Sequence, residues 1–148
     1  MTLIPTLSET ISRARTDMRM GLPVVIGGHL AAAVETLAPE RARAMQAVGQ
    51  AVLAITDWRA ATLKARVYDG DLARIVVPEG ADPGWMRALA DPSGDLMTPM
   101  KGPLQSARGG DVSAHRAAIG LAKSAQLLPA VLMVPVDDAP PELTRLAP

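Results

Sequence analysis

Cysteine is absent from these 148 residues and so is phenylalanine; Tyr68, Trp58 and Trp85 are the whole aromatic complement. Without thiols there are no disulfides, and zinc sites built on thiolates are excluded. So few rings make no base-stacking platform. Lys+Arg and Asp+Glu both count 15, so no basic footprint for nucleic acid exists either. No apolar run approaches the roughly 20 residues of a membrane span. The opening stretch, MTLIPTLSETISRARTDMRM, lacks a positive n-region followed by an apolar h-region, so no secretion signal is expected. These absences point to a cytoplasmic protein with neither nucleic acid nor membrane as partner.

What is present is an apolar fraction of 49%, mostly Ala, Val, Leu, Ile and Met. A chain of this size can bury one domain core, here built from small and flexible groups with a packed Trp as one of few large anchors. Ser8 reads as the cap of a helix running to about Met20, stopped by Gly21. Leu22–Ile26 reads as a buried strand ended by Gly27-Gly28. His29–Leu37 is strand or helix. Pro39 starts a helix closed by Gly49, and Ala51–Thr56 is a second strand. Asp57 reads as the cap of a helix over WRAATLKARVY, and Ala73–Val77 as a third strand. Asp82-Pro83 opens a helix bearing Trp85, Met86 and Leu89. Asp91–Gly110 is irregular, with room for a short strand. A helix over Asp111–Leu127 and a strand over Ala130–Val136 follow. The last ten residues, Ala139–Pro148, read as a Pro-rich linker or truncated end after a domain of residues 1–138. Strands alternating with helices predict α/β layers with at least part of the sheet parallel.

The chemistry-bearing residues are sparse. Gly27-Gly28 after a strand could cradle a phosphate, but no phosphate-loop spacing accompanies it, and a tight turn is the simpler reading. His29 and His115, the two histidines, have no ligand spacing around them; His115 in a first helical turn should stay neutral. Asp69-Gly70-Asp71 could hold Mg²⁺ or form an ordinary turn. Arg108, with the glycines Gly109-Gly110 before a helix, could take up a phosphate, while Asp111 is a good helix cap. Met97 and Met100 would line an interface or fill core gaps. No nucleophile–base set has a supporting motif.

Several segments in order resemble the 3,4-dihydroxy-2-butanone 4-phosphate synthase family of riboflavin biosynthesis. Met20–Ile26 is similar to the family's first strand, and Ala31–Glu40 to its next element, which reads AAEKATPE or close to it. Arg87–Pro92 spells its RALADP, and Ala117–Ala130 resembles its helix AAVDLARLAGLKPA. The resemblance implies a mixed sheet covered by helices, shortened here. The departures fall on the chemistry. The family's acidic loop, RENEGDL, supplies Mg²⁺ ligands and acid/base carboxylates; here the interval is Gly27-Gly28-His29-Leu30. The family's GHTEA aligns with Ser113–Ala117, placing its metal-binding His on Ala114 and its Glu on Arg116. A Glu of the following strand falls on Pro135. His115 is one place off, a rotation of about 100° at a helix start, so it cannot substitute directly.

Three further segments, Thr62–Ile75, Met97–Pro103 and His115–Pro135, resemble the N-terminal domain of certain bacterial GTP cyclohydrolase II proteins. In these, a degenerate synthase-like domain precedes a zinc- and cysteine-bearing cyclohydrolase domain. The resemblance implies an accessory domain acting by packing or dimerisation beside a GTP cyclohydrolase II domain, in cis or in trans. It implies no catalytic residue and no cofactor in this chain, neither magnesium nor zinc. Two alternatives stand beside it. One is a divergent synthase using Asp69, Asp71, Glu35 and His115 on ribulose 5-phosphate. The other is a regulatory module binding phosphate or nucleotide through Arg108 and Arg116.

Overall fold

The run AVLMVP has no polar side chain to turn toward water, and a strand with two apolar faces must be covered on both. It forms β5 (Ala130–Pro135), flanked by β2 (His29–Ala33) and β3 (Val52–Thr56), each antiparallel to it. β1 (Val24–Ile26) lies beyond β2 and β4 (Leu72–Val76) beyond β3, again antiparallel. A two-residue strand, β6 (Arg145–Leu146), joins β1 in parallel and completes a six-stranded mixed sheet of order β4-β3-β5-β2-β1-β6. The structure, a computed structural model, describes residues 2–96 and 102–148. Met97 and Met100, with much of the MTPMKGP stretch, lie outside the described residues.

Alternation along β5 sorts the core into two layers. Leu132 and Val134 pack with Met45 of α2 (Pro39–Val48) and with Met86 and Leu89 of α4 (Pro83–Ala90). Val131 and Met133 pack with Met18 of α1 (Leu7–Arg19) and with Ala118 and Leu121 of α5 (Ser113–Ser124). In the absence of phenylalanine, Met18, Met86 and Met133 are among the largest fully buried side chains. On the α1–α5 side the sheet offers Ala31, Ala33 and Ala54, small groups over which helices settle closely. Trp85 packs against the first layer, whereas Trp58 is 82% exposed. No helix among the described residues is long and apolar enough to cross a membrane.

Several local expectations are corrected. α1 is capped by Thr6, in a capping box with Glu9, and not by Ser8. The ambiguous His29–Leu37 is strand β2 followed by a 3-10 turn at Val34–Thr36. Thr56, not Asp57, caps α3 (Asp57–Thr62), which stops six residues before Tyr68. Lys64 takes φ 60 there, and the amides of Lys64 and Ala65 bond back to Ala61 and Ala60. α5 ends the same way, with Gln126 at φ 63 and the amides of Gln126 and Leu127 returning to Lys123 and Ala122. Both are Schellman closures with a side chain where glycine usually stands, so no sequence mark announced them. Parallel pairing, expected of the strand–helix alternation, is confined to β1 and β6 among the described strands. Residues 139–148, read as a linker or truncated end, lie on the domain: Ala139 is buried, and Thr144 Oγ1 donates to Asp17 on α1 at 2.6 Å.

Gly21 ends α1 at φ +79, and a Cβ there would overlap the carbonyl oxygen of Thr36. Gly21→Ala is therefore expected to cost about 2 kcal/mol or more, left-handed strain adding to a backbone overlap that cannot swing aside. Gly28→Ala, where a Cβ meets nothing within 4 Å, should change stability by less than about 1 kcal/mol. Urea unfolding midpoints of the two variants check the contrast.

Candidate functional site

The corner where the resemblance places its acidic loop is a tight hairpin. Gly27, at φ +59, and Gly28 turn β1 into β2 so that Ile26 pairs with His29. A Cβ built on Gly27 would lie 3.9 Å from that of Ala114, in the first turn of α5. His29 is the cross-strand partner of Pro135, and the Gly28 carbonyl accepts from the amide of Val136 at 2.8 Å. The structure thus gathers Gly27, Gly28, His29, Ala114, His115 and Pro135 at one corner of the sheet. The rings of His29 and His115 meet edge to face with centroids 4.9 Å apart.

Beside this pair stands Arg74, a guanidinium in the middle of the otherwise apolar β4. Its Nε and Nη2 donate to the two carboxylate oxygens of Asp69 at 2.9 and 3.2 Å, and Nη2 also donates to the Gly109 carbonyl at 2.8 Å. Both side chains are about nine-tenths buried. The same strand edge holds the following loop: Ala107 N donates to Arg74 O and Val76 N to Gln105 O, each at 2.7 Å. A bridge between Ile75 and Ser106 is the remnant of the short strand expected there. Sequence reading passed over Arg74. The available signal was a lone charge inside LARIV, a position that tolerates one only if it is paired.

Burial is the main reason that His115 has its pKa lowered to about 4; His29 and Arg74 add to it, opposed by Asp69 and Asp111. His29 is lowered too, by burial first and then by Arg74. The Nδ1 atoms of both rings are buried with no hydrogen-bond partner among the described residues. Two neutral imidazoles therefore fill the corner. A base that binds its proton so weakly is poorly matched to proton abstraction near neutral pH.

The remaining expected residues have other occupations. Asp71 forms an exposed bidentate pair with Arg116, at 2.9 to 3.1 Å. Hydrogen bonding to Arg116 holds the Asp71 carboxyl below its usual range. This pair lines a shallow cleft of about 320 Å³ with Trp58 and Lys123. Arg108 lies over the ring of Tyr68, 4.4 Å from its centroid. Glu35 accepts from the Leu128 amide at 2.8 Å, at the far end of β2 from His29. Asp111 is not the helix cap residue but precedes it; its oxygens accept from the amide and hydroxyl of Ser113. Asp69, Asp71, Glu35 and His115, grouped in one sequence reading, are thus split among three settings. Mg²⁺, which the synthase resemblance implies, takes about six oxygen ligands. The carboxylates nearest the corner, Asp69 and Asp111, already have both oxygens engaged, and no three metal-ligating side chains among the described residues come together. The residues present do not fit that ion.

No protein-family model matches the chain, and no curated protein does. Solved structures match its fold. The 3,4-dihydroxy-2-butanone 4-phosphate synthase of Candida albicans superposes with a TM-score of 0.62 at 16% identity, over 90% of this chain and 83% of that one. A cation-free form of such a synthase gives 0.61 at 17%, over 91% and 80%. RibBX, a two-domain synthase from A. baumannii, gives 0.61 at 14%, over 91% of this chain and 50% of that one. The chain therefore has the synthase fold, a mixed sheet with helices on both faces.

Because the folded-state pKa of His115 is depressed, its contribution is fully present above about pH 6.5 and lost as pH falls from 6.5 toward 4. The loss over that window should reach at most about 3 kcal/mol. His115→Leu should flatten the pH dependence of the urea midpoint there. Asp69→Ala leaves Arg74 buried and unpaired and should cost about 3–5 kcal/mol. Asp71→Ala breaks an exposed pair and should cost under about 1 kcal/mol. Denaturation of both variants at pH 7 tests the ranking.

Proposed function

We propose that this chain is a catalytically silent, synthase-like domain of riboflavin biosynthesis that supports GTP cyclohydrolase II, in cis or in trans, by packing or dimerisation. One observation carries the reading. At the corner where the synthase resemblance expects an acidic loop and a metal-binding His, this chain has a closed Gly27-Gly28 hairpin, Ala114, and two neutral imidazoles packed beside Arg74. A corner so filled has room for structure and no carboxylate free for acid/base work. The cyclohydrolase link rests on the resemblance of Thr62–Ile75 and His115–Pro135 to the N-terminal domain of that enzyme.

The shared fold favours a second reading, a divergent 3,4-dihydroxy-2-butanone 4-phosphate synthase. Against it stands the scattering of Asp69, Asp71, Glu35 and His115. A phosphate or nucleotide module through Arg108 and Arg116 would first have to release Arg116 from Asp71 and Arg108 from Tyr68.

Mixing the purified chain with a GTP cyclohydrolase II and resolving the mixture by size exclusion tests the proposal. Co-elution, with a higher thermal midpoint of the cyclohydrolase, is the expected result. A monodisperse monomer that leaves the cyclohydrolase unchanged would overturn the supporting role.

A further inference from the structure

The inward stripe of α1 runs Ile11, Ala14, Arg15, Met18, with Ala14 and Met18 buried and Ile11 and Arg15 half-buried, so an arginine occupies a position where helical periodicity calls for an apolar side chain. Arg15 Nε is shut off from solvent and has no hydrogen-bond partner, and its guanidinium makes no ion pair among the described residues. Arg59, half-buried like Arg15, donates to the carbonyls of Leu89 and Ala88, and even the exposed Arg19 and Arg41 each reach a backbone carbonyl. Arg15 Nε has no such bond, and a buried donor of a cation left unsatisfied is costly.

Arg15 lines a groove of about 450 Å³ between α1, α5 and the β1–β6 edge. Most of the other lining is apolar, Ile11, Ile26, Leu121 and Leu146 foremost; Ser124, whose hydroxyl donates to the Leu121 carbonyl, and the chain's last residues, Ala147 and Pro148, complete it. Its volume falls in the range of about 300–1,000 Å³ typical of small-molecule sites. Gly120, in the middle of α5, opens its side: a Cβ there would meet nothing within 4 Å. Glycine in a helix interior costs about 1 kcal/mol relative to alanine, so this position gives up helix stability and leaves the wall low. Leu7, at the mouth, is 72% exposed, and Leu3 and Ile4, just before it in sequence, are exposed by 86 and 64%.

We propose that this groove binds a single-chain amphiphile with a carboxylate head, of the fatty-acid class. The tail lies along Ile11, Ile26, Leu121 and Leu146, and the carboxylate accepts from the fork of Arg15. A planar guanidinium with no protein partner among the described residues matches a carboxylate in charge and geometry. The groove lies on the α1 side of α5, and its end at Ile26 and Pro148 adjoins the Gly27 turn of the His29–His115 corner.

Isothermal titration of the chain with decanoate at submicellar concentration, and with decylamine as the head-group control, decides the matter. Decanoate is expected to bind at one site, and decylamine about tenfold more weakly or not at all. Arg15→Gln should weaken decanoate about tenfold while leaving decylamine unchanged. Gly120→Leu fills the groove with a better helix former and should abolish binding while the far-ultraviolet spectrum is kept. Should that variant fail to fold, Arg15→Gln and the head-group comparison decide alone. No heat with decanoate, equal affinity for the two head groups, or unchanged affinity in Arg15→Gln would each overturn the proposal; an interface for a protein partner would give the first of these.

Discussion

A guanidinium buried in the middle of a strand is tolerable only when its donors are met, and Arg74 meets that condition through Asp69 and the Gly109 carbonyl. Much of the corner follows from this one arrangement. Asp69 is committed to it, so the DGD turn cannot also serve a cation. The Gly109 contact and the paired backbone of Gln105 and Ala107 hold the irregular loop against β4. The loop delivers Asp111 and then the start of α5, which sets His115 against His29. The positive charge of Arg74 reinforces the effect of burial and keeps both rings neutral. A structural ion pair thus stands beside the Gly27-Gly28 hairpin, where the synthase resemblance would place an acidic loop.

The two-sided sheet explains why this arrangement is stable. β5 contributes alternate side chains to two cores, so helices must cover both faces. Alanines at 31, 33 and 54 let α1 and α5 settle on one of them, and methionines take up the gaps that phenylalanine would fill elsewhere. The tail from Ala139 closes over the β1 edge through Arg145 and Leu146. That edge would otherwise present unpaired backbone groups to any passing strand.

How much of this was legible depends on the kind of signal. Apolar runs marked β1, β3, β4 and β5 to within a residue or two, because burial on both faces leaves a continuous run. Asp82-Pro83 marked α4 because a cap and a first-turn proline are local chemistry. The ends of α3 and α5 were not legible, since Lys64 and Gln126 adopt left-handed backbone without a glycine to announce it. The tail read as a linker because prolines and charges dominate its composition, while its pairing with β1 is a tertiary fact. At the corner, the offset of His115 and the short Gly27-Gly28 interval were visible only against the motifs of the synthase family that the chain resembles. The pairings of Arg74 with Asp69 and of Arg116 with Asp71 were not, since they join residues on different elements or across a turn.

On the proposed function, the corner is structural and performs no synthase chemistry. The most direct test is formate release from ribulose 5-phosphate in the presence of Mg²⁺, with the purified chain and with His115→Ala. No release above the protein-free rate is expected for either. Steady release that disappears in His115→Ala would contradict it.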